Sequence, residues 1–136
     1  MNLKLQTSNL KLETQNMADH NETGKTGETI ALKYLQDKGY LILEQNWQNH
    51  HQEIDIIASK GNELVIVEVK CRTGTPLIEP YAAVNRNKQN MLIKATNAYI
   101  QKKNINLEIR FDIISITLGN ETKIEHIENA FYPRVR

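Results

Sequence analysis

The stretch from Glu53 to Arg72 constrains this chain most, because it reads as a β-hairpin with too many carboxylates on one side. Glu53–Ala58 and Leu64–Arg72 have strand character, and Lys60-Gly61-Asn62 between them is a turn signal. Val65, Val67 and Val69 alternate with Ile66, Glu68 and Lys70, the period of two that a strand imposes. Pairing Ser59 with Asn62 around Lys60-Gly61 predicts Glu53 opposite Glu68, and Asp55 opposite Ile66, one diagonal step from Glu68. Glu53, Asp55, Glu68 and Lys70 then share one face, and Ile54, Ile56, Val67 and Val69 share the other. A one-residue slip would break this grouping.

The flanking sequence predicts the rest of the fold. Thr26–Lys38 reads as a helix, with Ile30, Ala31, Tyr34 and Leu35 as its apolar stripe and Gly39 as its cap. Tyr40–Leu43 is a short strand, and Asn46–Gln52 is polar and turn-like. Gly74–Pro80 is a loop. Asn87–Lys103 has the clearest helical periodicity, through Met91, Leu92, Ala95, Ala98 and Tyr99. Phe111–Leu118 and Lys123–Ile127 are strands joined by a Gly119-Asn120 turn. The order α-β-β-β-α-β-β predicts an α/β protein with a mixed sheet flanked by helices. Residues 1–20 read as a flexible N-terminal tail, with Met17 as an alternative start, and 21–136 as one domain.

Composition narrows the class. A single cysteine, Cys71, excludes a disulfide framework and a multi-cysteine zinc site. No apolar run reaches the length of a membrane span, and the first fifteen residues lack the apolar core of a secretory signal. A cytoplasmic location is the expectation. The net charge of +1 hides an uneven distribution. Nine acids stand against four bases from Asp19 to Val69, and seven bases against one acid from Lys70 to Asn104. Such a split is compatible with a metal site beside a phosphate-binding surface; two solvated faces are the plainer alternative.

Like charges across a strand pair are destabilising, so the hairpin carboxylates need a cation, a shifted pKa or exposure. Lys70 supplies one charge. Mg²⁺ or Mn²⁺ would supply more, and Mg²⁺ commonly takes only one or two carboxylates plus water and substrate phosphate oxygens. Asp55 and Glu68 meet that demand, with Lys70 beside the bound water, which together describe a phosphodiester hydrolysis site. The alternative is an amphipathic strand with Glu and Lys on its solvent side.

Asp55 followed by Glu68-Val69-Lys70 resembles the signature of restriction-endonuclease-like nucleases, an Asp followed by Asp/Glu-x-Lys. More closely, the chain from Gly24 onward resembles the YraN family of bacterial proteins. The resemblance runs through Gly24-x-x-Gly27-Glu28-x-x-Ala31, Asn46, Glu53-Ile54-Asp55, Val67-Glu68-Val69-Lys70-x-Arg72, Lys88, Arg110-Phe111-Asp112 and Asn129-Ala130-Phe131. It implies a restriction-endonuclease-like fold, similar to Holliday-junction resolvases. It also implies a metal-dependent nuclease for DNA in preference to RNA, with branched or structured DNA among its substrates, or else an inactive nucleic-acid-binding or adaptor descendant. On that pattern Asp55, Glu68 and the Val69 carbonyl are metal ligands, Lys70 is catalytic, and Glu28 reaches in from the first helix. Glu53, set opposite Glu68, reads as an accessory group, outer-shell or ligand to a second metal, against the alternative of a surface charge. The analogy with resolvases allows a homodimer, which no sequence feature shows. Gln52 departs from the family, which usually has Gly before Glu-Ile-Asp.

The remaining candidates carry less chemistry. Arg72, Arg86, Lys88 and Lys94 are the expected nucleic-acid contacts, against the alternative of a solvated face. Glu28 has a second reading as a helix N-terminal acid. Gly24-Lys25-Thr26 is no phosphate loop, since Asp19 stands where the pattern needs Gly. His50 and His51 are adjacent, so in a strand they would point to opposite faces. His20 and His126 have no partner visible in the sequence. Cys71 has no base to activate it and reads as a small buried residue. Arg110 and Asp112 read as a structural ion pair. Trp47 and Tyr81 could stack on bases or pack in the core.

Overall fold

The computed structural model describes residues 8–74 and 84–133, with side chains from Glu22 onward. In chain order the elements are α1 (Ser8–Asp37), β1 (Leu41–Asn49), β2 (Gln52–Lys60), β3 (Glu63–Thr73), α2 (Arg86–Lys103), β4 (Glu108–Leu118) and β5 (Lys123–Phe131). The five strands form one sheet in the order β1-β2-β3-β4-β5. The β3–β4 pair is parallel and the other pairs are antiparallel. A parallel pair needs a crossover, and α2 provides it. The α/β architecture and the order α-β-β-β-α-β-β are those expected from the sequence. Among the described residues no helix is long and apolar enough to cross a membrane.

Each face of the sheet is covered by one helix. Ala31 and Leu35 of α1 pack with Ile56, Ala58, Val65, Val67, Ile114 and Ile116. Leu92, Ala95 and Tyr99 of α2 pack with Ile57, Leu64, Ile66, Phe111 and Ile113 on the other side. Alternation along β3 and β4 thus feeds both cores, which is why these two strands read as nearly continuous apolar runs.

α1 is longer than its apolar stripe predicts. It begins at Ser8, so Ser8–His20, read from composition as a tail, is helical in backbone. Its end is as expected: Gly39 has φ +89, and the Tyr40 N–H reaches back to the Leu35 carbonyl at 2.9 Å. Within it Gly27 has a packing reason. A Cβ there would collide with Cys71 Cβ on β3 and lie 2.8 Å from its Sγ. Cys71 is half-buried against this glycine, and burial pushes its thiol pKa up.

Two turns differ from the expected ones. β1 continues to Asn49, which pairs with Gln52, so only His50 and His51 remain as a tight turn. Asn46–Gln52 is therefore mostly strand, and the histidines sit at a hairpin tip, with His50 at φ +57. In the β2–β3 hairpin Lys60 pairs with Glu63, and the two-residue turn is Gly61-Asn62, with Gly61 at φ +57. Glycine at the first central position suits a tight hairpin turn. This register is two residues away from the one expected around Lys60-Gly61. An even shift preserves the faces, so Glu68 and Asp55 stay on one side, but Glu53 is not opposite Glu68.

Candidate functional site

The site is built where β2 and β3 part. Their ladder ends at Ile56–Val67. Beyond that point β2 stays paired to β1, through Trp47–Ile54 and Gln48–Glu53, while β3 stays paired to β4 as far as Thr73. The strands fork, and the end of β2 is free to rotate. As a result Ile54 joins the α2-side core although Ile56 joins the α1-side core. That corrects the expectation that Ile54, Ile56, Val67 and Val69 share one face. Continuing the register one step past Ile56–Val67 sets Asp55 abreast of Glu68.

Asp55 bridges the mouth of the fork. Its Oδ2 accepts a hydrogen bond from the Val69 N–H at 2.9 Å, in place of the missing ladder partner. Burial, and after it the adjacent Glu68 carboxyl, push the Asp55 carboxyl up to about 8 against the opposing Val69 N–H and Lys88 charge. Glu68 is only 4% exposed, among apolar neighbours on β3. Its Oε2 is fully buried and has no hydrogen-bond donor among the described residues. The Lys88 ammonium lies 3.2 Å from that oxygen, at an angle that gives charge contact without a hydrogen bond. Like-charged carboxyls this close, in a dry setting, are the arrangement that a cation relieves.

Lys88 comes from the first turn of α2. Asn85 caps this helix in extended conformation, and its Oδ1 accepts from the Lys88 N–H at 3.0 Å. The turn carries Arg86 and Lys88 and no acid, against the usual preference at a helix N-terminus. The sequence reading placed Lys88 among phosphate contacts; the structure places it on the carboxylate pair.

The other expected residues are distributed as follows. Lys70 lies two positions beyond Glu68 on the same face of β3, half-buried, and Arg72 two further. Arg86 and Lys94 are exposed on α2. Glu53 is exposed. Glu28 does not meet the pair. It accepts from Asn46 Nδ2 at 3.2 Å, and Asn46 stands abreast of Asp55 on β1, between the partners of Ile56 and Ile54. At φ +47 Asn46 is one of the few left-handed non-glycine residues. Val69 contributes its N–H to Asp55. Gln52 opens β2 opposite Asn49. Trp47 stacks edge-on against Tyr99, with ring centroids 5.1 Å apart, and so packs on α2. Tyr81 and the expected loop from Thr75 to Pro80 lie outside the described residues.

On the opposite face is a second buried polar cluster, larger than the ion pair expected of Arg110 and Asp112. Arg110 Nε and Nη2 donate to Asp112 Oδ1 and Oδ2 at 2.9 and 2.8 Å, and Nη1 donates to Glu63 at 3.0 Å. Arg110 also donates to the Tyr40 hydroxyl. His126 Nε2 lies 2.7 Å from Asp112 Oδ2, and its Nδ1 lies 3.1 Å from the Tyr34 hydroxyl. His126 therefore has two partners, which only the β4–β5 pairing and α1 bring to it. Burial alone would raise the Asp112 pKa, but hydrogen bonds from His126 and Arg110 and the Arg110 charge hold it below the usual carboxylate range.

Among the described residues no group of three His, Cys, Asp or Glu side chains is placed to hold a metal ion. A closed structural zinc site is thus not formed by these residues. Two carboxylates, one with a buried oxygen that has the Lys88 ammonium beside it but no hydrogen bond among the described residues, do fit Mg²⁺ or Mn²⁺, which take part of their shell from water and substrate.

The chain is thus an α/β protein, a five-stranded mixed sheet between two helices, with a carboxylate pair at a strand fork and lysines alongside. This chain belongs to the family described as Uncharacterised protein family UPF0102, whose model matches residues 27–116. It is 48% identical over 118 residues to a UPF0102 protein of Bacteroides thetaiotaomicron, covering 86% of this chain and 98% of the relative. It is 50% identical over 117 residues to one of Flavobacterium psychrophilum, covering 85% and 98%. For a Porphyromonas gingivalis relative the figures are 47% over 118 residues, 85% and 87%. The family resemblance read from the motifs is thereby established.

Proposed function

We propose that the protein is a divalent-metal-dependent nuclease that hydrolyses DNA phosphodiester bonds, with branched or structured DNA as the substrate class. The observation that carries this reading is the buried, donorless Glu68 Oε2 beside the Asp55 carboxyl at the mouth of a strand fork. Asp55 and Glu68 would hold Mg²⁺ or Mn²⁺, which supplies an acidified water and a counter-charge for the phosphate. Asp55 is held in place by the Val69 N–H, so its free oxygen keeps a fixed direction. Lys70, on the same face of β3, would orient the attacking water or steady the developing negative charge. Arg72 and the exposed Arg86 would hold the flanking phosphates, and Glu28 would act through Asn46 on the β1 side of Asp55.

The test is cleavage of four-way-junction, flap and linear DNA, and of RNA, with Mg²⁺ or Mn²⁺. Wild type should cut at least one DNA substrate, and Lys70→Ala or Asp55→Ala should lose about 10²-fold or more in rate, the scale of removing one positioned catalytic group. Equal behaviour of wild type and Lys70→Ala on every substrate would sink the catalytic assignment. Salt-sensitive DNA binding that survives Glu68→Ala, with no cleavage by wild type, would identify a binding module instead.

A further inference from the structure

Lys88 has an occupation that neither the signature nor the family match assigns. Its ammonium lies 3.2 Å from the one buried carboxylate oxygen that has no hydrogen-bond donor among the described residues. The backbone below it is fixed by the Asn85 cap, while the side chain is 36% exposed and spans four rotatable bonds. The ammonium can therefore leave Glu68 without disturbing α2. A divalent ion on the same oxygen would meet it at short range, and two cations cannot share that contact without strong repulsion.

We propose that Lys88 is the resident counter-ion of the Asp55–Glu68 pair, displaced when a divalent metal binds and handed over to a substrate phosphate. This rests on the nuclease reading of the pair and adds a residue to it. With two carboxylates and a divalent ion the pair is neutral, so the released Lys88 is surplus positive charge at the mouth of the fork. A phosphodiester brings the matching negative charge. Metal binding and phosphate binding are thereby coupled through one side chain.

The test uses the full chain in calorimetric titration with MnCl₂ at fixed pH and salt, for wild type, Lys88→Met, Lys88→Arg and Asp55→Asn. Lys88→Met should bind Mn²⁺ on the order of tenfold more tightly, the usual reach of one charge at this range. Lys88→Arg should stay near wild type. Lys88→Gln repeats the measurement should the Met variant lose its helical circular dichroism. In filter binding with a branched DNA, Lys88→Met should lose several-fold in affinity with Ca²⁺ present and little in EDTA. Equal Mn²⁺ affinity in wild type, Lys88→Met and Lys88→Gln overturns the proposal and leaves the metal site standing. An equal loss of DNA affinity in Ca²⁺ and EDTA also overturns it, because Lys88 is then a permanent phosphate contact. Mn²⁺ binding that is unaffected by Asp55→Asn, or absent from every variant, overturns the reading of the site itself, and the role of Lys88 with it.

Discussion

The two faces of the sheet hold two buried charged clusters with the same local device and opposite outcomes. In each, an aspartate side chain accepts a backbone N–H where a ladder is interrupted. Asp55 takes Val69 N–H at the β2–β3 fork, and Asp112 takes Asn129 N–H, at 3.1 Å, at the β4–β5 irregularity. The difference lies in what surrounds the aspartate. Asp112 is met by a guanidinium and an imidazole, so its charge is stabilised and its pKa falls. Asp55 is buried beside a second carboxyl, so burial first and Glu68 after it oppose its charge and its pKa rises. A closed network such as the first makes structure, because every group in it is answered. The second is less completely answered: Glu68 Oε2 has the Lys88 ammonium at 3.2 Å but no hydrogen bond among the described residues.

The largest expected effect that could break this contrast is at Arg110. Arg110→Met should cost about 3–5 kcal/mol in urea unfolding, because it strands the buried Asp112 carboxylate. A loss below about 1 kcal/mol would show that the network is not what holds α1, β4 and β5 together.

Next comes the opposite sign at the fork. Asp55→Asn should stabilise the metal-free protein by about 0.5–2 kcal/mol at pH 8, since it removes a charge that Glu68 opposes. The pH dependence follows from linkage. A carboxyl whose folded pKa is raised keeps its proton in the folded state, so wild-type stability from this group is full below about pH 4 and falls as pH rises towards about 8. The Asp55→Asn advantage should therefore vanish near pH 4. Asp112, with a lowered folded pKa, runs the other way: its contribution is present above about pH 4 and is lost as pH falls through the folded value. Unfolding midpoints of wild type, Asp55→Asn and Asp112→Asn across pH 3–9 would show the two slopes. Identical slopes would remove the distinction.

The smallest expected effect is at His126. His126→Gln should cost about 0.5–1.5 kcal/mol, the net worth of a hydrogen bond, with Arg110 still answering Asp112. Thermal unfolding of this variant beside Arg110→Met would rank the two side-chain partners of Asp112. A larger loss for His126→Gln would make the imidazole the main partner.

Much of this was legible in the chain. Period-two alternation in β3, the helical stripe of α2 and the Gly39 cap each depend on neighbours a few residues apart, and local chemistry decides them, whereas the hairpin turn was legible only to within one residue, as Lys60-Gly61 in place of Gly61-Asn62. Face-sharing of Asp55 and Glu68 was also legible, because an error of two residues in register leaves faces unchanged. The backward extension of α1 to Ser8 was not, since its composition shows weak periodicity and many Asn, Gln and Thr. Nor was the exposure of Glu53, which the expected register set opposite Glu68.

The sequence by itself determined the elements, their order, and which carboxylates could meet. Only the tertiary structure decided which cation answers them. Lys70 is two residues from Glu68 and was the natural choice on the strand, yet Lys88, twenty positions on in the chain, is the one at 3.2 Å. The same holds for His126, which meets Tyr34 across 92 positions of sequence. Spacing along a strand or helix fixes direction over a few residues, whereas contacts between elements depend on how helices seat on the sheet, and that is set by the packing of both cores at once.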